Sequence, residues 1–252
     1  MRHLNQALLL PQARIDAYAI GIIGTGAIGS FVAMALTKMG FSQIVTWDPD
    51  KIEVHNLDNQ MFPVESVGTR KALATRAMVK QFSGEDIVTM ATKTTGRKAY
   101  DCLRSAFPGK RLIMILAVDS LDTRKDIVRD LRRIPDGIIV IDARMGAKTY
   151  RVMGFQPAIS QKFNEYMATI VPDADAVQER CGQKSIIYTV LGVAAEVCAF
   201  VHSIVMPPEA YPFAIPHPVT FDYGTGIRLQ QVRAQGEVLD FTEDDTLVEE
   251  AV

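Results

Sequence analysis

The chain has 252 residues, 48% of them hydrophobic and 22% charged, with a formal net charge of −2. That balance describes an ordinary globular protein and removes any global electrostatic case for nucleic acid or an anionic membrane surface as partner. Cys102, Cys181 and Cys198 are odd in number and far apart, which excludes a disulfide framework and a CxxC zinc pair and points to a reducing, cytoplasmic location.

In chain order, the N-terminal "ALLLP" has a three-leucine core, too short for a secretory segment. Ala19–Ile23 is a short β-branched run of the kind a buried parallel strand needs. Gly24, Gly26 and Gly29 interrupt it, and Phe31, Val32, Ala35, Leu36 and Met39 then recur at helical spacing up to Gly40. "SQIVTWD" predicts a second strand, Ser66–Gln81 a helix, "DIVTMAT" a third strand and Arg97–Phe107 a helix. "RLIMILAVD" predicts a strand ending at Asp119, Ser120–Arg133 an amphipathic helix, and "GIIVIDARMG" a fifth strand. This alternation predicts an α/β fold with a Rossmann-like doubly wound, mostly parallel sheet.

"YRVMGFQP" reads as a further strand, and residues 156–184 as an irregular crossover. "SIIYTVLGVAAEVCAFVHSIVM" is long enough to span a bilayer, but Ser185, Thr189, Glu196 and His202 within it favour a buried helix packed on the sheet. A hairpin around Gly224–Gly226 and an acidic, fraying tail complete residues 215–252.

The chemistry concentrates at strand ends. Gly24-Thr25-Gly26-Ala27-Ile28-Gly29 follows a strand and opens a helix, where glycines let the backbone approach a phosphate and the helix N-terminus favours its charge. Asp48 comes 19 residues after Gly29, the usual distance for a ribose ligand. This combination indicates a nucleotide without saying which, and an NAD(P)-dependent oxidoreductase fits it. The segment "WDPDKIEVHNLDNQ" follows the second strand with acids and amides that a nicotinamide site has no use for and a triphosphate with Mg²⁺ does. Asp119 is placed to hold that ion, although an aspartate there is also suited to cap the helix that follows. Lys71, one turn into the second predicted helix, would reach the phosphates as a point charge or remain a solvated helix lysine.

Taken together, "GTGAIGS", "WDPDKIEVHNLDNQ", "VGTRKA" and "AVDSLDTR" resemble the ThiF/MoeB/HesA family, bacterial relatives of ubiquitin-activating enzymes, over about residues 2–200. The resemblance implies one adenylation domain over residues 1–252, commonly a homodimer, that binds ATP and Mg²⁺. It also implies a substrate: the C-terminal glycine carboxylate of a small ubiquitin-like (β-grasp) or sulfur-carrier protein, activated as an acyl-adenylate. Carried over to this sequence, Gly24, Gly26, Ala27 and Gly29 form the phosphate loop and Asp48, with Asp50 beside it, holds the ribose. Asn56, Asn59 and Gln60 line the phosphate path, Lys71 offsets the triphosphate charge, and Asp119 binds magnesium with Ser120 where the family usually has Asn. Cys181 stands where the family carries a reactive cysteine before a small-residue helix, flanked by Arg180 and Lys184 that would favour its thiolate.

Two positions depart from the family pattern. Asn59 and Asn5 stand where relatives have arginines that contact ATP, leaving Arg14, Arg70, Arg124 or Arg144 to supply the charge. That loss also admits a non-catalytic paralogue that only docks a ubiquitin-like partner. The CxxC pairs of many relatives are missing from the sequence, so no structural zinc is expected.

Overall fold

Every residue of Tyr18–Ile23 (β1) is buried, as an apolar run flanked by strands on both sides requires. In the computed structural model, which describes residues 5–134, 137–173, 186–206 and 219–230, β1 pairs in parallel with β2 (Ile44–Trp47) and with β4 (Arg111–Leu116). β3 (Val88–Met90) adds to β2 and β5 (Ile139–Met145) to β4, again in parallel. β6 (Thr149–Phe155), β7 (Val219–Asp222) and β8 (Ile227–Gln230) continue the sheet antiparallel, giving the order β3-β2-β1-β4-β5-β6-β7-β8. The C-terminal hairpin is thus an extension of the main sheet.

Alternation along β1 sends side chains to two cores. Ile20 and Ile22 meet residues of α2 (Ala27–Lys38), α3 (Lys71–Ser83) and α7 (Ile187–Val205), including Leu36, Val79 and Val197. Ala19 and Ile23 face the opposite layer, with Leu103 of α4 (Gly96–Ala106), Ile127 of α5 (Leu121–Leu131) and Tyr166 of α6 (Ser160–Met167). The helices after β1 and β4, adjacent strands, therefore leave toward opposite faces. The backbone parts there, and in open α/β sheets that crevice is where ligands bind.

α7 is long and apolar enough to cross a membrane by length and composition, yet it lies on the sheet, with Val190, Val193, Val197 and Val201 fully buried. Three elements differ from expectation. A short helix, α1 (Gln12–Asp16), precedes β1. The crossover read as irregular contains α6, because Phe163 and Tyr166 sit three apart and bury one face of that helix. The helix expected from Ser66 begins only at Lys71. The Gly68 amide donates to Ile52, the Ile52 amide to Thr69 and the Lys71 amide to Asp50, so the 50–52 segment claims the backbone a longer helix would need.

Candidate functional site

Gly24 follows β1 with φ +92, a left-handed conformation that glycine adopts without strain. It lies against β4: a Cβ added there would come within 2.6 Å of the Ala117 carbonyl. The close approach is sealed by the Ala117 amide, which donates to Ile23 at 2.8 Å, and by the Gly24 amide, which donates to Trp47 at 2.8 Å. The ends of β2, β1 and β4 thus form one continuous ledge.

Gly26 then caps α2 without a side-chain partner, and the first turn carries no acid. The first-turn amides of Ala27 and its neighbours, which have no carbonyl partner within the helix, and the positive end of the helix are the elements of an anion site. A Cβ on Gly26 would meet only the Gln60 amide, 3.9 Å away, whereas one on Gly29 would overlap the Gly24 carbonyl. The two glycines therefore do different work: Gly29 packs helix against loop, and Gly26 leaves room. Gln60 is brought there because the neighbouring Met61 amide donates to the Ser30 hydroxyl at 3.2 Å. The Gln60 Oε1 and Thr25 Oγ1 atoms are buried and unpartnered. Two orphaned polar atoms beside an uncapped helix N-terminus fit a bound polar ligand such as a nucleotide, since burying them without one is unfavourable.

Asp48 is 5% exposed. Its carboxylate accepts from the Thr25 amide at 2.8 Å and from the Asp50 amide at 2.9 Å, so it shapes the glycine loop. Lys71 is the first residue of α3, not one turn into it, and its ammonium pairs with Asp50 at 3.1 Å. Asn56 is buried and its side-chain oxygen accepts from the Glu53 amide at 2.9 Å, closing a capping box around Val54–Asn56. The residue expected on a phosphate path thus has a local structural role. Asn59 is half-buried on the same turn.

Asp119 is exposed, three residues beyond β4. The cap of α5 is Ser120, whose hydroxyl accepts from the Thr123 amide at 3.0 Å, so Asp119 is free of the capping role open to it on sequence grounds. Asp119 makes no ion pair among the described residues, and no three His, Cys, Asp or Glu side chains converge there or elsewhere among them. A single carboxylate of this kind fits magnesium, which takes one or two protein carboxylates and completes its shell from phosphates and water.

Of the four arginines considered as replacements for the family's, Arg124 and Arg144 are otherwise engaged. Both bond the buried carboxylate of Asp142, and Arg124 also donates to backbone carbonyls. Arg70 is exposed beside the Asp48–Asp50 turn and donates to the Pro49 carbonyl. Arg14 is exposed on α1. Cys181, with Arg180 and Lys184, lies outside the described residues. Cys198 is buried on α7, and burial pushes its thiol up to about 12; desolvation also raises that of half-buried Cys102. Neither has the low pKa of a reactive thiolate.

Sequence reasoning missed Asp173. Its carboxylate accepts from the Ser120 hydroxyl and the Leu121 amide, each at 2.7 Å, and the hydroxyl bond foremost holds it below the usual carboxylate value. No local signal marks a residue 53 positions from its partner.

A profile of the ThiF family matches residues 2–209. Among curated proteins, ubiquitin-like modifier-activating enzyme 5 of Oryza sativa subsp. japonica is 37% identical over 71 residues, 28% of this chain and 16% of that protein. The NEDD8-activating enzyme E1 catalytic subunit of Arabidopsis thaliana is 32% identical over 114 residues, 44% of this chain. That match spans 24% of the relative, so the chain covers less than a quarter of either relative's length. Among solved structures, PaaA superposes with a TM-score of 0.65 at 16% identity, over 91% of this chain and 68% of PaaA. E. coli MccB with ATP gives 0.62 at 17%, over 90% and 66%.

Proposed function

The chain belongs to the ThiF family, and from that premise we propose that it is an ATP-dependent adenylyltransferase that activates the C-terminal carboxylate of a small ubiquitin-like protein. The observation that carries the proposal is the ledge at the ends of β2, β1 and β4, where the uncapped start of α2, Asp48, Lys71, Gln60 and Asp119 come from five separate segments to one edge of the sheet. E. coli MccB, which shares the fold, has been solved with ATP, which supports ATP over a nicotinamide cofactor.

In this reading the amides at the start of α2 receive a phosphate, and Asp48 holds the ribose. Lys71 exchanges Asp50 for the leaving phosphates. Asp119 would hold Mg²⁺, which supplies charge to offset the pyrophosphate. The substrate carboxylate attacks the α-phosphorus, the bond from that phosphorus to the bridging oxygen breaks, and pyrophosphate leaves. The product is a mixed anhydride between substrate and AMP; the Cys181 thiolate would then attack its acyl carbon, breaking the bond to the phosphate oxygen, releasing AMP and leaving a thioester. Catalysis by positioned charge is the usual mode for such a transfer. The protein acts as a homodimer in this reading.

An ATP–pyrophosphate exchange assay with a β-grasp partner ending in glycine tests the proposal. Exchange that depends on partner, Mg²⁺ and Lys71 is expected; its absence with every partner tried would defeat it. A thermal-shift comparison separates the nucleotides, since ATP·Mg²⁺ should stabilise the protein and NAD⁺ should not. A second reading, a paralogue that binds the partner without turnover, is favoured by Arg124 and Arg144 both being committed to Asp142. It predicts partner binding with no exchange.

A further inference from the structure

Asp119 is exposed, yet the groups on both sides of it are held. On one side, the Val118 carbonyl accepts from Arg124, whose other terminal nitrogen donates to Leu116 at 3.1 Å. Arg124 is 3% exposed and pairs with Asp142, a carboxylate with no exposure at all. The second oxygen of Asp142 accepts from Arg144 Nε at 2.5 Å. Arg144 reaches on to Thr169, donating to its carbonyl at 2.9 Å and its hydroxyl at 3.1 Å. Four residues later, Asp173 accepts from the Ser120 hydroxyl and the Leu121 amide, and its own amide returns a bond to Asp122 at 3.3 Å. With the chain from Thr169 to Asp173, the contacts close a ring whose two ends are Val118 and Ser120, the neighbours of Asp119.

We infer that this ring positions Asp119, and that Asp142, Arg144, Thr169 and Asp173 are positioning residues for the metal- and phosphate-facing carboxylate. The inference rests on the role given to Asp119 above. A functional carboxylate on a loop must be held to within about half an ångström, and a loop alone does not hold it. The buried half of the ring supplies rigidity: charge-assisted bonds to a fully buried carboxylate are short and directional. The outer half supplies reach, because Thr169 and Asp173 stand at the root of the segment that leads to Cys181.

A purely structural triad would need only its buried half. The test therefore addresses the outer half, where Asp173 is half-buried and bonds Ser120, Leu121 and Asp122 at the start of α5. Thr169→Val and Asp173→Ala are compared with the unaltered chain, and Thr169→Ser serves as the conservative variant that keeps the hydroxyl Arg144 donates to. The first readout is amide hydrogen exchange of Leu121 without nucleotide. It is expected to speed up in Asp173→Ala and Thr169→Val and to move least in Thr169→Ser. The second is the MgCl₂ concentration that half-saturates ATP–pyrophosphate exchange, expected to rise roughly 10-fold in the first two variants at an unchanged melting temperature, as for a lost partner of a metal ligand. Unchanged Leu121 exchange in both variants overturns the ring whatever the activity. An unchanged Mg²⁺ requirement in an active enzyme overturns its link to Asp119. An unaltered chain with no activity defeats the functional reading instead and leaves the hydrogen-exchange result to decide whether the ring holds the start of α5.

Discussion

Lys71 and Asp50 meet at 3.1 Å from opposite ends of a loop, the lysine side chain 11% exposed and the aspartate 63%. The Lys71 amide also donates to the Asp50 carbonyl at 2.9 Å, so the two residues are joined through backbone and side chain. The chain between them, with Asn56 and Gln60, is looped out from this clasp over the glycine turn. Lys71→Ala is expected to lower ATP–pyrophosphate exchange by about 10² to 10³-fold, the range for losing one positioned group that stabilises developing charge. Its melting temperature should change little, because a pair with one solvent-facing member contributes at most about 1 kcal/mol. Parallel calorimetry and exchange assays check both halves of the expectation.

Gly26→Ala and Gly29→Ala should separate packing from ligand binding. At Gly29 the new methyl overlaps the Gly24 carbonyl, so that variant is expected to lose roughly 1–3 kcal/mol of stability, the usual cost of overpacking. At Gly26 the methyl meets only Gln60, at 3.9 Å. That variant should melt near the unaltered chain but bind ATP more weakly, as measured by calorimetric titration, because the methyl enters the space left for phosphate.

Asp142 is the residue whose loss should damage the fold most. Asp142→Ala leaves two arginines at the base of the cleft without their carboxylate, Arg124 buried and Arg144 partly so. Breaking such a buried pair costs about 3–5 kcal/mol. For a chain of this size that corresponds to a melting temperature lower by roughly 6–20 °C. Asp142→Asn keeps the shape and one acceptor and should fall between. Thermal denaturation followed by circular dichroism orders the three.

Cys198 and Tyr150 give the stability a defined alkaline limit. Burial pushes both up to about 12, from ordinary values of 9.0 and 10.0. The unfolded chain then releases its thiol proton above pH 9 while the folded chain keeps it. Unfolding releases protons there, so stability falls as pH rises from 9 toward 12, with Tyr150 adding to the slope above 10. The urea midpoint should decline across that range, and the decline should be shallower in Cys198→Ala. Equal slopes in the two proteins would count against a buried, protonated Cys198.

Much of the scaffold was legible because it is local. A strand buried on both faces needs an unbroken apolar run, and Tyr18–Ile23, Ile44–Trp47 and Arg111–Leu116 are such runs or nearly so. A turn from strand to helix needs glycine at a positive φ and glycine at the close contact, and Gly24 and Gly29 meet those needs where the spacing places them. The grouping of Gly24, Asp48 and Asp119 at one edge followed from the same logic, since parallel strands all present their carboxyl ends together.

Other features depended on contacts that local pattern does not encode. α3 starts at Lys71 because residues 68–71 bond to 50–52, and α6 forms because Phe163 and Tyr166 find a core supplied by distant strands. Arg124 and Arg144 read as available cations until the fold laid Asp142 between them. The ring around Asp119 joins residues up to 53 positions apart. The sequence by itself determined the elements and the edge at which chemistry gathers, since propensity, periodicity and glycine conformations act within a few residues. Which charges are free and which are neutralised was decided only by tertiary structure, because an ion pair depends on distance in space and on burial.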